Sequence, residues 1–205
     1  MNLESIRETL GYQPVLLGTI ALLASAALAV ANGSTSGPIA LAEARDMQNS
    51  LSQVLPAGFA DNDLLKDTLE IAKPDGSKVK LYRARKAGKV VGAVFQVAER
   101  GYAAEIQSLM AVDMAGTVLG VRVLKHQETP GLGDKIEVAK SPWVLDFAGK
   151  SFASLVPAKW AVKKDGGVFD QFAGATITPR AVVKSVKGGV EFFMAHQAEI
   201  GGEGK

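Results

Sequence analysis

The stretch DQFAGATITPRAVV, residues 170–183, places a hydroxyl group beside neighbours that leave the backbone accessible. Gly174 and Ala175 carry minimal side chains, so a ligand can approach the main chain closely, and Thr176 follows them directly. The apolar run that comes next predicts a helix, and the free N–H groups and dipole at a helix N-terminus attract anions. With Arg180 as an added positive charge, these residue types predict a phosphate-binding site.

A purely structural interpretation also fits this stretch: a turn followed by a capped helix. Pro179 suits the first turn of a helix, where its missing N–H is harmless. Thr178 then stands at the N-cap and accepts a hydrogen bond from a backbone N–H. This interpretation explains Thr178 and Pro179 but not the small residues before them. On the residues alone, both interpretations stay open.

A resemblance to a known family favours the phosphate site. Asp170, Gly174, Ala175 and Thr176 match the pattern Asp-x-x-(Ser/Thr)-Gly-Ala-Thr of proteins that carry FMN on a threonine through a phosphoester. The resemblance implies that Thr176 is the attachment point, that Asp170, Gly174, Ala175 and Thr178 also belong to the cofactor-binding site, and that a separate flavin transferase installs the FMN. Ala173 departs from the pattern, which usually has Ser or Thr there, but the acceptor hydroxyl itself is retained.

A second run, HQETPGLGDKI at 126–136, extends the resemblance. The surrounding stretch 101–137 resembles the middle of the G subunit of the Rnf electron-transport complex. The related C subunit of the sodium-translocating NADH:quinone reductase has a similar architecture. The resemblance covers the apolar N-terminal segment, the predicted sheet and the C-terminal helix, and therefore nearly the whole chain.

The loop that contains this run has two interpretations. By spacing alone, Pro130-Gly131 is a chain reversal and Glu128 a solvated surface acid. The resemblance implies instead one wall of a flavin pocket, formed by Glu128, Thr129, Gly131, Leu132 and Gly133. In that case Glu128 and Thr129 are expected to hydrogen-bond the polar edge of the flavin. Tyr102 is a weaker candidate for stacking on the ring, with a half-buried strand tyrosine as the alternative.

The function implied by the resemblance is that of a membrane-anchored electron-transfer subunit with covalent FMN. The complex would couple electron transfer between NADH and ferredoxin to ion translocation across a bacterial inner membrane, with this domain on the periplasmic side. Its partners would be membrane and iron–sulfur subunits. The chain has no cysteine for a cluster and no GxGxxG after a strand, so we expect those partners to supply these functions.

Two other functions stay open. One is a membrane-anchored sensor or solute-binding module that holds a phosphate-bearing ligand non-covalently, and the other is an assembly protein without a cofactor. Nucleic acid is not an expected partner, because the formal net charge is only +2 and basic residues are scattered among acids. No metal site is predicted, since His126 and His196 lie far apart in the sequence.

The run PVLLGTIALLASAALAVA, residues 14–31, is long enough to cross a membrane as a helix, at about 27 Å. An Ala-x-Ala pattern within it also suits a cleaved signal peptide. However, the leader carries Glu4 and Glu8 beside one Arg7, which is not a basic leader. The sequence therefore predicts a single uncleaved transmembrane helix, whose orientation the flanking charges do not decide.

The remaining pattern predicts an α+β fold, a single FMN-binding domain with one antiparallel sheet and flanking helices. The predicted segments are an N-terminal tail at 1–13, the anchor at 14–31, a juxtamembrane linker at 32–40, the domain at 41–200 and a flexible C-terminus at 201–205. The predicted elements of the domain are a helix over 41–55 closed by Pro56, hairpins over 78–99 and 104–126, a helical or turn-rich insert at 140–150, a strand at 158–164 and a helix from Pro179.

Overall fold

The structure is a computed structural model that describes residues 11–73 and 76–202. Its first element is helix α1, Tyr12–Val54, which contains the predicted anchor at 14–31. A window of this helix has a mean hydropathy of 2.2, and none of that window is buried. By length and composition, α1 is the one helix in the described part of the chain that is apolar enough to cross a membrane.

Helix α1 continues through residues 32–40, the predicted juxtamembrane linker. The hydroxyls of Ser34 and Thr35 donate to the carbonyl of Ala31 at 3.0 and 2.7 Å. These small polar side chains are thus satisfied within the helix rather than breaking it. Pro38 also lies inside α1.

The end of α1 agrees with the prediction, since the helix stops at Val54, two residues before Pro56. The predicted domain boundaries remain predictions. Residues 1–10 of the predicted tail and residues 203–205 of the predicted C-terminus lie outside the described residues.

The chain divides into two compact units, Met1–Met47 and Gln48–Lys205. The second contains an antiparallel sheet of five strands in sequential order. The strands are β1 Thr68–Ala72, β2 Lys78–Lys86, β3 Lys89–Arg100, β4 Glu105–Asp113 and β5 Val118–Lys125. This α+β architecture confirms the predicted fold class, and β2–β3 and β4–β5 are the two predicted hairpins.

The β2–β3 turn shows why the hairpin forms where the sequence predicts it. Ala87 and Gly88 both have positive φ, 49° and 79°. A two-residue loop of this kind matches the right-handed twist of the strands it joins. Strand β1 was not predicted, although it pairs with β2 from Thr68 opposite Tyr82 to Ala72 opposite Lys78.

One face of the sheet is covered by helix α2, Ile177–Ala195, which is followed by the short helix α3, Gln197–Gly201. Helix α2 buries an apolar stripe, whose members are fully buried: Val182, Val186, Val190 and Phe193. The helix lies unusually close to the sheet at Gly189, where an added Cβ would collide with the Met110 sulfur.

The opposite face of the sheet is covered by the last turns of α1. Leu51 and Val54 are only 1% and 2% exposed. A Cβ on Gly120 would lie 2.6 Å from the carbonyl oxygen of Val54. Gly120 precedes Val121, which faces the α2 side of the core, so the two residues lie on opposite faces of the sheet. Within the second unit, the sheet is therefore a central layer.

Short 3-10 helices dominate the segment between β5 and α2: Asp134–Ile136, Pro142–Phe147, Pro157–Lys159 and Lys163–Asp165. The helix Pro142–Phe147 confirms the predicted helical insert. The predicted strand at 158–164 is wrong, because the chain turns around the buried indole of Trp160, which donates to the carbonyl of Leu155 at 3.0 Å.

Candidate functional site

A cavity of about 240 Å³ lies where three segments of the second unit meet. They are the tip between β3 and β4, the loop at 126–133 that follows β5, and the start of α2. Its lining residues are Tyr102, Glu128, Thr129, Leu132, Gly133, Gly174, Ala175, Thr176, Ile177 and Thr178. Apolar side chains at its rim remain open to solvent, with Tyr102 68%, Leu132 43% and Ile177 47% exposed.

Thr176 occupies the N-cap position of α2 and is half-buried. Its side chain makes no capping hydrogen bond, so the hydroxyl is not committed to the helix it precedes. Gly174, two residues earlier, has a φ of +80°, a conformation that favours glycine. The geometry therefore presents an uncommitted hydroxyl at a helix N-terminus, in the lining of the cavity.

Thr178 is not the N-cap, contrary to the prediction. The helix begins at Ile177, two residues earlier than Pro179 implied, so Thr178 lies in its first turn. Thr178 is 1% exposed, and its hydroxyl donates to Oε2 of Glu128. Pro179 does occupy the first turn, where no intrahelical partner is lost.

Glu128 is buried, at 4% exposed, so its interpretation as a solvated surface acid is wrong. Its carboxylate accepts hydrogen bonds from the backbone N–H of Tyr102 at 3.3 Å and of Ala103 at 3.1 Å, as well as from Thr178. Its own N–H donates to Nδ1 of His126 at 3.1 Å. We call Glu128 and the three donors to its carboxylate the Glu128 cluster.

Trp143 supports the loop at 170–176, which we call the acceptor loop. The indole N–H of Trp143 donates to the carbonyl of Asp170 at 2.8 Å, and its ring meets that of Phe172 edge-on at 5.1 Å. The Asp170 side chain points to Lys163, with an ion-pair distance of 2.6 Å, and is 60% exposed. Asp170 therefore supports the loop and does not line the cavity.

Arg180 is also engaged away from the cavity. Its guanidinium donates to both carboxylate oxygens of Asp165 at 2.6 Å. This hydrogen-bonded pair lowers the pKa of Asp165 and raises the pKa of Arg180. The expectation that Arg180 adds positive charge to a phosphate site is not met, and the anion-attracting feature that remains is the start of α2 itself.

Three larger grooves, of about 310, 410 and 470 Å³, lie elsewhere on the second unit. The two largest are lined mainly by residues of β2, β3 and α2, including Lys73, Gln96 and Val97 in both. None of the three is lined by a predicted site residue. Most of the predicted site residues line the smaller cavity instead.

Comparison with known proteins identifies the family. The sequence profile of the FMN-binding domain matches residues 101–191. The G subunit of the ion-translocating oxidoreductase complex of Cereibacter sphaeroides is 49% identical over 186 residues, which are 91% of this chain and 85% of that protein. The chain belongs to the family of G subunits of ion-translocating oxidoreductase complexes. The predicted resemblance to the Rnf G subunit is thereby confirmed.

Further members of this G-subunit family agree. The protein from Stutzerimonas stutzeri is 47% identical over 189 residues, 92% of this chain and 83% of its own length. Among solved structures, Shewanella oneidensis NqrC is similar with a TM-score of 0.48 and 23% identity, over 68% of this chain and 74% of that one.

The structure brings most of the predicted site residues together. Those that line the cavity are Glu128, Thr129, Leu132, Gly174, Ala175, Thr176 and Thr178. Asp170 and Gly131 do not line it. Tyr102, the weaker candidate, does line it, and its exposure rules out the alternative of a half-buried strand tyrosine. The roles of these residues toward a flavin remain predictions.

Sequence reasoning missed two features of this site. Ile177 lines the cavity, but an apolar residue between two threonines carries no signal of its own. The burial of Glu128 was also missed, although two glycines hint at it. An added Cβ would come within 2.5 Å of Glu128 Oε1 at Gly101 and within 2.9 Å of Glu128 Cβ at Gly133.

Proposed function

We propose that this chain is an electron-transfer subunit of an ion-translocating oxidoreductase complex and carries FMN covalently, through its phosphate, on Thr176. The observation that carries this proposal is the position of Thr176. Its hydroxyl stands in the lining of a cavity at the N-terminus of α2 and is not used for capping. Membership of the G-subunit family and the match to the FMN-binding domain support the choice of cofactor.

The residues around the cavity fit such a group. The free N–H groups at the start of α2 suit the negative charge of a phosphate next to Thr176. Gly174 and Ala175 leave the backbone accessible at the same point. Tyr102, Leu132 and Ile177 offer apolar surface to a flat ring.

The cavity is small for a ligand of the size of FMN. Its volume of about 240 Å³ is below the range of about 300–1,000 Å³ that is typical for pockets that bury a drug-sized ligand. Part of a bound flavin would then remain at the rim, within reach of another subunit. FMN supplies the electron exchange when bound, and this chain's residues tether it, orient it and shield one side of it from water.

Membership of the G-subunit family supports a proposal for the partners. We propose that membrane and iron–sulfur subunits deliver and accept the electrons, within a complex that couples transfer between NADH and ferredoxin to ion translocation. A flavin transferase would form the bond to Thr176 by transferring FMN from a flavin dinucleotide: the Thr176 oxygen bonds the FMN phosphorus, the pyrophosphate bond breaks, the nucleoside monophosphate leaves and the hydroxyl proton is released. We further propose that α1 anchors the chain in a bacterial inner membrane and that the domain is periplasmic. A membrane-impermeant thiol reagent should then label Lys89→Cys in intact cells, since the chain has no native cysteine.

Mass spectrometry of the full chain, produced with and without a flavin transferase, tests the cofactor proposal. We expect the transferase to add the mass of one FMN less one water. Trypsin releases DGGVFDQFAGATITPR, residues 165–180, in which Thr176 and Thr178 carry the only hydroxyl groups, so fragmentation assigns the bond. Thr176→Ala should remove the label entirely, whereas Thr176→Ser should retain it.

Two outcomes would contradict the proposal. A label that persists in Thr176→Ala and is lost in Thr178→Ala would move the site by two residues. Wild-type protein that stays unlabelled beside an active transferase would exclude covalent attachment. Reversible binding of a phosphate-bearing ligand to that unlabelled protein would then favour the sensor or solute-binding alternative.

A further inference from the structure

The Glu128 cluster joins all three segments that line the cavity. Glu128 belongs to the loop at 126–133, Tyr102 and Ala103 form the tip between β3 and β4, and Thr178 lies in the first turn of α2. The three hydrogen-bond donors come from outside the 126–133 loop. The carboxylate can therefore accept all three only when the three segments stand in their observed positions.

Neutral groups alone satisfy the charge of Glu128. Among the described residues, no lysine, arginine or histidine side chain forms an ion pair with its carboxylate. A buried carboxylate without hydrogen bonds is costly, because water no longer solvates it. Displacement of the β3–β4 tip or of the start of α2 would remove one of its few donors, so the cluster resists such displacement.

The packing around Glu128 leaves little room for a different arrangement. An added Cβ at Gly101 would lie 2.5 Å from Glu128 Oε1 and 2.8 Å from the Ile106 side chain. At Gly133 it would lie 2.9 Å from both Glu128 Cβ and Thr178 Oγ1. The backbone approaches the carboxylate side chain closely on both sides.

We propose that Glu128 is a positioning residue of the site, and that its buried carboxylate sets the separation between the β3–β4 tip and the start of α2. Tyr102 then stands at a fixed distance from Thr176. In this role Glu128 acts through the protein, since its three hydrogen-bond donors are protein groups. The consequence for a flavin rests on the proposed function; the consequence for the protein alone does not.

A carboxylate is required for this role, and even its isosteric amide does not replace it. The Ala103 N–H approaches Oε1, whereas the Tyr102 N–H and the Thr178 hydroxyl approach Oε2. The amide of Glu128→Gln has one acceptor oxygen, and its NH2 group is only a donor. In either amide orientation, one backbone N–H would face another donor. The hydroxyl can reverse its role, but a backbone N–H cannot.

Hydrogen–deuterium exchange of the flavin-free full chain in detergent tests the protein part of the inference. In Glu128→Gln we expect at least one of the Tyr102 and Ala103 amides to exchange roughly tenfold faster, because in either amide orientation one of them loses its hydrogen bond to a charged group. Glu105→Gln is the matched control. It makes the same chemical change close to the β3–β4 tip, but its exposed side chain does not line the cavity, so exchange at Tyr102 and Ala103 should be unchanged.

The FMN-labelled protein reports on positioning. We expect Glu128→Gln to alter the visible circular dichroism of the flavin and to shift its midpoint potential, while Glu105→Gln leaves both unchanged. Thr178→Val, which removes the hydroxyl, should shift them in the same direction, and Thr178→Ser should restore the wild-type values. Thr178→Val also keeps the test available if Glu128→Gln does not fold.

The failures of the two proposals are distinguishable. Wild-type protein that carries no FMN after production with a flavin transferase would contradict the proposed function. The exchange measurement on the flavin-free chain would still show whether Glu128 holds the β3–β4 tip in place. Unchanged exchange at Tyr102 and Ala103 in Glu128→Gln would overturn the positioning role, as would labelled Glu128→Gln and Thr178→Val proteins with the wild-type spectrum and potential.

Discussion

Two largely buried carboxylates are held in opposite ways in this domain. Asp67 lies between two guanidinium groups, with Arg83 Nε at 2.7 Å and Arg85 Nε at 2.5 Å. In the described part of the chain, the donors to Glu128 are all neutral. We call Asp67 and its two arginines the edge cluster, because they join strand β2 to the segment that precedes the edge strand β1.

The two clusters are expected to have different roles: the edge cluster stabilises the fold, and the Glu128 cluster sets the geometry of the cavity. In the edge cluster, opposite charges meet at an Asp67 side chain that is only 18% exposed, and Arg83 also donates to the carbonyl of Gly202 at 3.2 Å. This cluster ties the sheet edge to the C-terminal end of the domain and lies outside the cavity lining. The Glu128 cluster ties together segments that line the cavity. The first should therefore govern unfolding, and the second should govern the shape of the site.

The largest expected effect comes from the edge cluster. Asp67→Ala leaves two mostly buried guanidinium groups without their shared partner, and we expect the free energy of unfolding to fall by about 3 kcal/mol. Urea unfolding of the detergent-solubilised protein measures it. Incorporation of FMN into the folded fraction should not change. A loss below about 1 kcal/mol would mean that the cluster behaves as an exposed ion pair.

Acid should weaken the edge cluster. Burial by itself would raise the pKa of Asp67, but the hydrogen bonds and charges of Arg85 and Arg83 outweigh it and hold this pKa below its ordinary value of 3.8. A lowered folded-state pKa stabilises the protein above the unfolded-state value, and that stabilisation is lost as pH falls through the folded-state pKa.

We therefore expect the unfolding free energy of wild type to fall between about pH 5 and about pH 2 more steeply than that of Asp67→Asn. Urea unfolding across this range provides the comparison. Equal slopes for the two proteins would show that Asp67 does not titrate differently on folding.

The smallest expected effect lies at the exposed end of the acceptor loop. Asp170→Asn removes an ion pair with Lys163 in which the two side chains are 60% and 56% exposed. We expect a loss of less than about 1 kcal/mol in unfolding free energy, since solvent screens such pairs. The Trp143 bond to the backbone carbonyl of Asp170 is retained. Thermal unfolding of wild type and Asp170→Asn measures this loss. A loss larger than about 1 kcal/mol would mean that Asp170 contributes to stability as a buried carboxylate does.

The predictable part of the fold had strong local signals. Both hairpins follow alternating apolar residues with small turn residues at Ala87-Gly88 and Ala115-Gly116. Strand β1 was missed because it has only five residues and one buried side chain, Ile71, so that its pairing with β2 decides its structure. The strand at 158–164 was wrong because burial of Trp160 outweighs the local preference for extension.

The candidate site also has a part that was predictable from the sequence and a part that was not. The acceptor loop was found because its small residues and threonines are adjacent in sequence. The Glu128 cluster was not, because Glu128 and Thr178 are 50 residues apart and charged loop residues are usually solvated. The N-cap was misplaced by two residues, since Thr176 and Thr178 both suit that position and the burial of Thr178 decides between them.

Helix α2 carries Thr176 at its start and Gly189 near its middle, where the backbone rests against Met110. The two positions are about 20 Å apart along the helix axis. A methyl group at residue 189 would push the helix away from the sheet at that point. The tilt of the helix would then change, and its N-terminal end, which carries the Thr176 hydroxyl, would move. A change between the helix and the sheet can therefore reorient the Thr176 hydroxyl without contacting it.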